Sequence, residues 1–136
     1  MDVLRSLRRA LRPGGVLLNE CPEPQRPVVS IVPPDEQPSL EIGTVDNSDL
    51  VRRIHVARAA RERAQQAGWF DCDRELVFDF ISEFGSVDEW LAYRVEKRSS
   101  SIVSPEVLGR ARDLLASRGG ILRVHERERI SRLRAR

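Results

Sequence analysis

An abrupt helix stop followed at once by an apolar run is the feature that most constrains this chain. Residues 2–12 carry leucines at helical spacing, and Pro13-Gly14-Gly15 then ends the helix. Val16-Leu17-Leu18 follows without a linker. A continuous apolar run bounded by turn residues is typical of a strand buried on both faces, as in a parallel sheet. The sequence therefore predicts a helix and a strand that lies inside an α/β sheet.

The whole chain, residues 1–136, is predicted to form one α/β domain with three parts. Residues 1–20 form the helix and the buried strand. Residues 21–47 hold a proline-rich loop and an edge β-hairpin, with strands at 28–32 and 39–45 around a turn at 33–38. Residues 48–136 form the remainder.

In this remainder a helix at 48–67 ends at Gly68, and a strand follows at 76–81. Two helices within 86–117 begin at a capping box, Ser86-Val87-Asp88-Glu89, and at Ser104-Pro105. A long strand at 121–134 completes the order. Its apolar phase is broken at Glu126 and Glu128, which predicts a bulge.

Charge and cysteine content exclude several classes of protein. The 23 basic and 21 acidic residues nearly cancel, so nothing favours nucleic acid as a partner. Cys21 and Cys72 are far apart and form neither a CxxC motif nor a disulfide framework. With His55 and His125 they provide no zinc spacing, so no metal site is predicted. The sequence contains no signal peptide or membrane-spanning run, and a cytoplasmic setting is expected.

The segment Leu7-Arg8-Arg9-Ala10-Leu11-Arg12-Pro13-Gly14-Gly15-Val16-Leu17-Leu18 closely resembles a stretch of class I S-adenosylmethionine (SAM)-dependent methyltransferases. In that family a helix ends in such a turn and feeds the fifth strand of a Rossmann-like sheet. The resemblance implies a partial sheet made of the last three strands. Residues 76–81 would be the sixth strand, and 121–134 the seventh, inserted antiparallel between the fifth and sixth. The hairpin and the helices at 86–117 would be insertions.

One departure from the family concerns the cofactor. Members bind SAM through a glycine-rich loop after the first strand, where glycine lets the backbone approach the ligand. Gly14-Gly15 and Gly119-Gly120 are helix stops, and the first four strands are absent. The sequence therefore assigns no catalytic and no cofactor-binding residue. SAM is implied by the resemblance alone, and the chain alone is not expected to be catalytically competent.

Six residues are candidates for contact with a substrate. Asn19 and Glu20 directly follow the predicted buried strand, at the edge where α/β sheets bind ligands. Four aromatic residues are candidates for an apolar pocket, although core packing is an alternative for each: Trp69, Phe70, Trp90 and Tyr93. Glu126 and Glu128 would share a strand face, and cross-strand pairing with arginine is favoured over a catalytic role.

Two functions from different classes remain open. The first is a methyltransferase-like C-terminal domain, either truncated or degenerate. The second is a stand-alone dimeric module that binds a small molecule or a protein without enzymatic activity. In both, the edge of the strand at Val16–Leu18 lacks a neighbour, and an unpaired edge invites another chain. The expected partner is a second copy or a separate cofactor-binding chain.

Overall fold

The computed structural model describes residues 3–35 and 38–136. Its elements in chain order are α1 (Val3–Ala10), β1 (Val16–Pro22), β2 (Val28–Val32), β3 (Leu40–Thr44), α2 (Ser48–Gln66), β4 (Phe70–Phe84), α3 (Val87–Glu96), α4 (Pro105–Arg118) and β5 (Ile121–Ala135). The α/β class and the order of elements are those predicted. The first residue of the predicted N-terminal helix, Asp2, and two residues of the predicted turn, Glu36 and Gln37, lie outside the described residues.

The five strands form an open antiparallel sheet with β5 as its common neighbour. β5 pairs with β1 from Val16↔Arg134 to Pro22↔Glu128, and with β2 from Val28↔His125 to Val32↔Ile121. β4 also pairs with β5, and β3 pairs with β2. The predicted hairpin is present, but β2 is not an edge strand because it is bonded to both β3 and β5.

The expectation of a parallel strand buried on both faces at Val16–Leu18 is wrong. β1 is antiparallel to β5, and the side chains of Val16 and Leu18 are 44% and 66% exposed. Leu17, between them, packs against the buried side chains of Phe70 and Leu133. An antiparallel strand with one covered face alternates in this way, and three consecutive apolar residues do not reveal which face is covered.

The chain consists of two compact units, each with its own core. Unit 1 contains the described residues up to Pro24 together with Val51–Phe78 and Arg127–Arg136. Its core consists of Ala64, Phe70, Leu133 and Ala135, with Leu4, Leu11, Leu17, Trp69 and Cys72 packed against it. β4 and β5 each contribute residues to both units.

Unit 2 contains Gln25–Leu50 and Asp79–Glu126. Its core joins four strands and two helices, through Val29, Ile31, Ile42, Val45, Phe84, Val87, Trp90, Val107, Ala111, Leu122 and Val124. The buried residues of β5 fall on even numbers in this unit and on odd numbers, from Ser131 to Ala135, in unit 1. β5 keeps a constant register along its pairing with β1 and along its pairing with β2, so neither pairing shows the predicted bulge.

The predicted starts of α3 and α4 are confirmed. The Ser86 hydroxyl accepts a hydrogen bond of 3.1 Å from the backbone N–H of Glu89. The Glu89 carboxylate in turn accepts one of 2.7 Å from the N–H of Gly85. Ser104 caps α4 and Pro105 follows at its first turn. The Ser86 cap fixes where α3 begins, and α3 supplies three side chains to the cavity described below, with a fourth from its C-cap residue Lys97.

The turn between α4 and β5 depends on Gly120. Its φ is +96°, and a Cβ added there would lie 2.1 Å from the carbonyl oxygen of Val32. No side chain fits at that distance, so Gly120 allows β5 to begin directly beside the end of β2.

We predict that Gly120→Ala destabilises the protein by more than about 1 kcal/mol, because both the positive φ and the contact with Val32 oppose a side chain. Gly109→Ala is the matched control, since nothing lies within 4 Å of its added Cβ in the middle of α4. We expect this control to stabilise the protein by about 0.5–1 kcal/mol. Urea unfolding of both variants measures the two effects, and equal free energies of unfolding would contradict the prediction.

Candidate functional site

A cavity of about 230 Å³ lies within unit 2. It is lined by β4, β5, α3, the segment after α3 and the ends of the β2–β3 hairpin. Its lining residues are Pro27, Val45, Ser82, Phe84, Trp90, Tyr93, Arg94, Lys97, Ser99, Ser101, Val124 and Glu126. Apolar and polar side chains therefore share one enclosure, which is the usual composition of a small-molecule site.

The apolar part of the cavity belongs to the core of unit 2. Val45, Phe84, Trp90 and Val124 are all less than 10% exposed. These four side chains come from the hairpin, β4, α3 and β5, so four elements hold this wall in place. A wall built from the core is pre-formed, which reduces the conformational entropy that a ligand must overcome on binding.

Helix α3 supplies one aromatic and cationic face to the cavity. Trp90, Tyr93, Arg94 and Lys97 follow one another at spacings of three, one and three residues, which places them on one side of a helix. The Phe84 and Tyr93 rings are tilted by 52° with their centres 5.3 Å apart. Such a tilted pair is a favoured arrangement of aromatic rings and fixes the position of Tyr93.

Both cations of the cavity lie over aromatic rings of the same helix. The Arg94 guanidinium carbon is 5.6 Å from the Trp90 ring centre, and the Lys97 Nζ is 5.7 Å from that of Tyr93. The negative face of an aromatic ring attracts a cation at such distances. Arg94 also donates to the Ser101 hydroxyl at 3.1 Å and to the Ser101 carbonyl oxygen. Burial lowers the pKa of Arg94, and the negative charge of Glu126 opposes this effect.

Glu126 is the acidic side chain of the cavity, and it lacks a hydrogen-bond partner among residues 3–35 and 38–136. Burial raises the pKa of Glu126, while the charge of Arg94 acts in the opposite direction. Within the described residues, Glu126 therefore does not form the cross-strand pair with arginine that the sequence favoured for it. A carboxylate left in this state can accept hydrogen bonds from a ligand.

The structure brings together two of the six predicted substrate residues. Trp90 and Tyr93 line the cavity. Phe70 is buried in the core of unit 1, and Trp69 packs against that core with Arg5 over its ring. Core packing, which was the alternative to a substrate pocket, is therefore the role of Phe70 and Trp69.

Asn19 and Glu20 lie within β1, opposite Ser131 and Ile130, and not beyond its end as expected. The strand continues to Pro22 because its backbone remains paired with β5 to Glu128. They do not line the cavity.

Several cavity residues were missed by the sequence reasoning, namely Ser82, Phe84, Arg94, Lys97, Ser99 and Ser101. For Arg94 and Lys97 a signal was present, since both lie on the helical face that Trp90 and Tyr93 define. No such sequence signal was present for Phe84 and Ser82, because the predicted strand ended at residue 81 while β4 continues to Phe84.

A second polar cluster lies in unit 1, and its two carboxylates form ion pairs with arginines. Glu23 accepts hydrogen bonds from Arg58 at 2.6 Å and from Arg129 at 2.7 Å. Glu75 contacts Arg129 and Arg61, each at 2.9 Å. The buried Ser131 hydroxyl joins this network by accepting from Arg61 at 2.6 Å and donating to Glu75 at 2.8 Å. These contacts connect α2 with β4, β5 and the segment after β1.

The protonation of this cluster follows from its cations. The hydrogen bond from Arg129 is the main cause that holds the pKa of Glu23 below its ordinary value, although burial opposes it. Burial alone would raise the pKa of Glu75, but Ser131 and the two arginines outweigh it and lower the pKa. Both carboxylates are therefore charged at neutral pH and stabilise the folded state.

Within residues 3–35 and 38–136, no three His, Cys, Asp or Glu side chains are grouped so that they could hold a metal ion. None of the helices there combines the length and apolar composition that a bilayer span needs. The chain matches no protein-family model, no curated protein and no solved structure.

We predict that Glu23→Gln lowers the free energy of unfolding by about 2 kcal/mol at pH 7, because it leaves Arg58 without its carboxylate and Arg129 with Glu75 alone. Since the folded-state pKa of Glu23 is lowered, this contribution is present above the unfolded-state value of 4.5. It is lost as the pH falls through the lower folded-state pKa. Urea unfolding at pH 7 and at pH 3 measures how much of this contribution is lost.

The exposed Glu41 provides a control. We expect Glu41→Gln to change stability by less than about 0.5 kcal/mol at either pH. A Glu23→Gln effect that is as large at pH 3 as at pH 7 would contradict an origin in the charge.

Proposed function

We propose that this chain is a small-molecule-binding module without enzymatic activity of its own, and that its ligand occupies the cavity of unit 2. The observation that carries this proposal is Glu126. Within the described residues no donor reaches this half-buried carboxylate, which lines a cavity with an aromatic wall, and a ligand that donates a hydrogen bond would satisfy it.

The dimensions and chemistry of the cavity support the same proposal. Its volume of about 230 Å³ lies below the range of roughly 300–1,000 Å³ that drug-sized ligands occupy, so the expected ligand is small. Buried aromatic rings provide apolar contact, while Arg94, Lys97 and Glu126 provide polar groups that orient a ligand. Among the lining residues, the hydroxyl groups of Ser99 and Ser101 contact each other and Arg94, and not a base that could activate them as nucleophiles.

The module is proposed to be a homodimer that pairs through β1. Among the described strands, β1 is paired with β5 only, so its second edge has no neighbour. Leu18 is 66% exposed beside this edge. Two copies of β1 related by a two-fold axis would pair antiparallel, satisfy their backbone groups and shield the exposed apolar residues from water.

A second candidate function is the C-terminal part of a class I methyltransferase. The observation in its favour is the strand order, since β5 lies between β1 and β4 and is antiparallel to β1. The resemblance implies this order for the fifth, seventh and sixth strands of the family. In this candidate the open edge of β1 would face the family's fourth strand, and the chain would dock on a separate cofactor-binding partner chain.

The described residues do not fit SAM itself. A Cβ at Gly15 would meet the carbonyl oxygen of Arg12 at 2.8 Å, and Gly120 lies against the backbone of Val32. These glycines permit close contacts within the chain and do not form a cradle for a ligand. We therefore assign no reaction step through SAM to this chain.

A fragment screen by NMR tests the binding proposal, with the indole N–H of Trp90 as the reporter. We expect small aromatic fragments to shift this signal, which Trp69→Phe identifies by removing the signal of Trp69. Ser82→Phe should weaken binding at least about tenfold because the added ring fills the cavity. Ser117→Phe makes the same change on exposed α4 outside the cavity and should leave binding intact. If no fragment moves the Trp90 signal, the proposed function is wrong.

Sedimentation equilibrium tests the homodimer. We expect Leu18→Lys to weaken dimerisation by about tenfold or more, because a charge beside a strand edge opposes pairing. Val56→Lys is the matched control, since Val56 is 69% exposed on α2 and lies away from the β1 edge in sequence. A wild-type chain that stays monomeric at high concentration would contradict the homodimer and favour docking on a separate partner chain.

A further inference from the structure

We propose that the cavity of unit 2 recognises a small zwitterion of the amino-acid class, with its ammonium group on Glu126, its carboxylate toward Arg94 and Lys97, and an aromatic or apolar side chain against Phe84 and Tyr93. This inference rests on the proposed binding function and specifies its ligand.

The first step concerns the charges that line the cavity. Arg94 and Lys97 supply two positive charges from one face of α3, and Glu126 supplies one negative charge from β5. A ligand with only a positive charge would satisfy Glu126 but would be repelled by both cations. A ligand with only a negative charge would be attracted by both cations but repelled by Glu126. A zwitterion offers an opposite charge to each group.

The second step concerns hydrogen bonds that are still available. Glu126 is the charged group of the cavity for which the described residues supply no donor. Ammonium groups carry three donors and no acceptor, so they suit a carboxylate in this position. The two terminal nitrogens of Arg94 already donate to Ser101, and Lys97 contacts the exposed Glu96 at 3.6 Å. Lys97, which is more than half exposed, is thus free to turn toward a ligand carboxylate.

The third step concerns the body of the ligand. Phe84 and Tyr93 form a tilted ring pair beside the buried Val45 and Val124. An aromatic or branched aliphatic group gains apolar contact there without losing a polar partner. The volume of about 230 Å³ suits a single amino acid better than a peptide or a nucleotide.

Three ligands with the same phenyl ring test the proposal by isothermal titration calorimetry. Phenylalanine carries both charges, phenethylamine carries only the ammonium group, and 3-phenylpropionate carries only the carboxylate. We expect phenylalanine to bind at least about tenfold more tightly than either analogue, since each charged hydrogen bond contributes to affinity. Equal or tighter binding of one analogue would overturn the proposal.

Two variants assign the charges to residues. Glu126→Gln should remove the advantage of phenylalanine over 3-phenylpropionate, and Lys97→Met should reduce its advantage over phenethylamine. Glu96→Gln is the control for net charge, because Glu96 is exposed and does not line the cavity. An advantage of phenylalanine that survives Glu126→Gln would overturn the assignment of its ammonium group.

The failure of this inference can be told apart from the failure of the binding function. If aromatic fragments shift the Trp90 signal and Ser82→Phe abolishes the shift, but phenylalanine has no advantage, the cavity binds ligands of another class. If no fragment binds either, the proposed function has failed together with the inference.

Discussion

The backbone hydrogen bonds of β5 are the interaction on which the rest of the structure depends. This strand of 15 residues pairs with β1, β2 and β4, and through β2 it is connected to β3. It contributes Leu133 to the core of unit 1 and Leu122 to the core of unit 2. Because each core includes side chains from this strand, its register determines which residues are buried in both units.

Two carboxylates show how packing gives the same chemical group opposite roles. Glu23 accepts hydrogen bonds from two arginines, and this holds its pKa below the ordinary value, so its charge stabilises the fold. Glu126 is half-buried, no side chain or backbone group of the described residues donates to it, and its partial burial raises its pKa. Glu23 is thus part of a structural network, while the Glu126 carboxylate can still accept hydrogen bonds from a ligand.

The candidate site could be predicted from the sequence only where its residues lie on one helix. The capping box at Ser86 defined the start of α3, and the helical period placed Trp90 and Tyr93 on one face. The same period would have added Arg94 and Lys97. Glu126 could not be recognised as a site residue, because its alternation with arginine along β5 favours ion pairs. Whether a donor reaches it depends on which side chains other elements place nearby.

The sequence by itself determined the order of helices and strands, the capped starts of α3 and α4, and the helix stop at Gly119-Gly120. These features follow from local rules, since capping, helical period and backbone freedom involve residues close together in the chain. Only the tertiary structure decided that β1 pairs antiparallel and leaves Val16 and Leu18 exposed. It also decided that Trp90 lines a cavity while Phe70 fills a core. The physical reason is that strand pairing and burial join residues distant in sequence, whose local patterns are compatible with more than one arrangement.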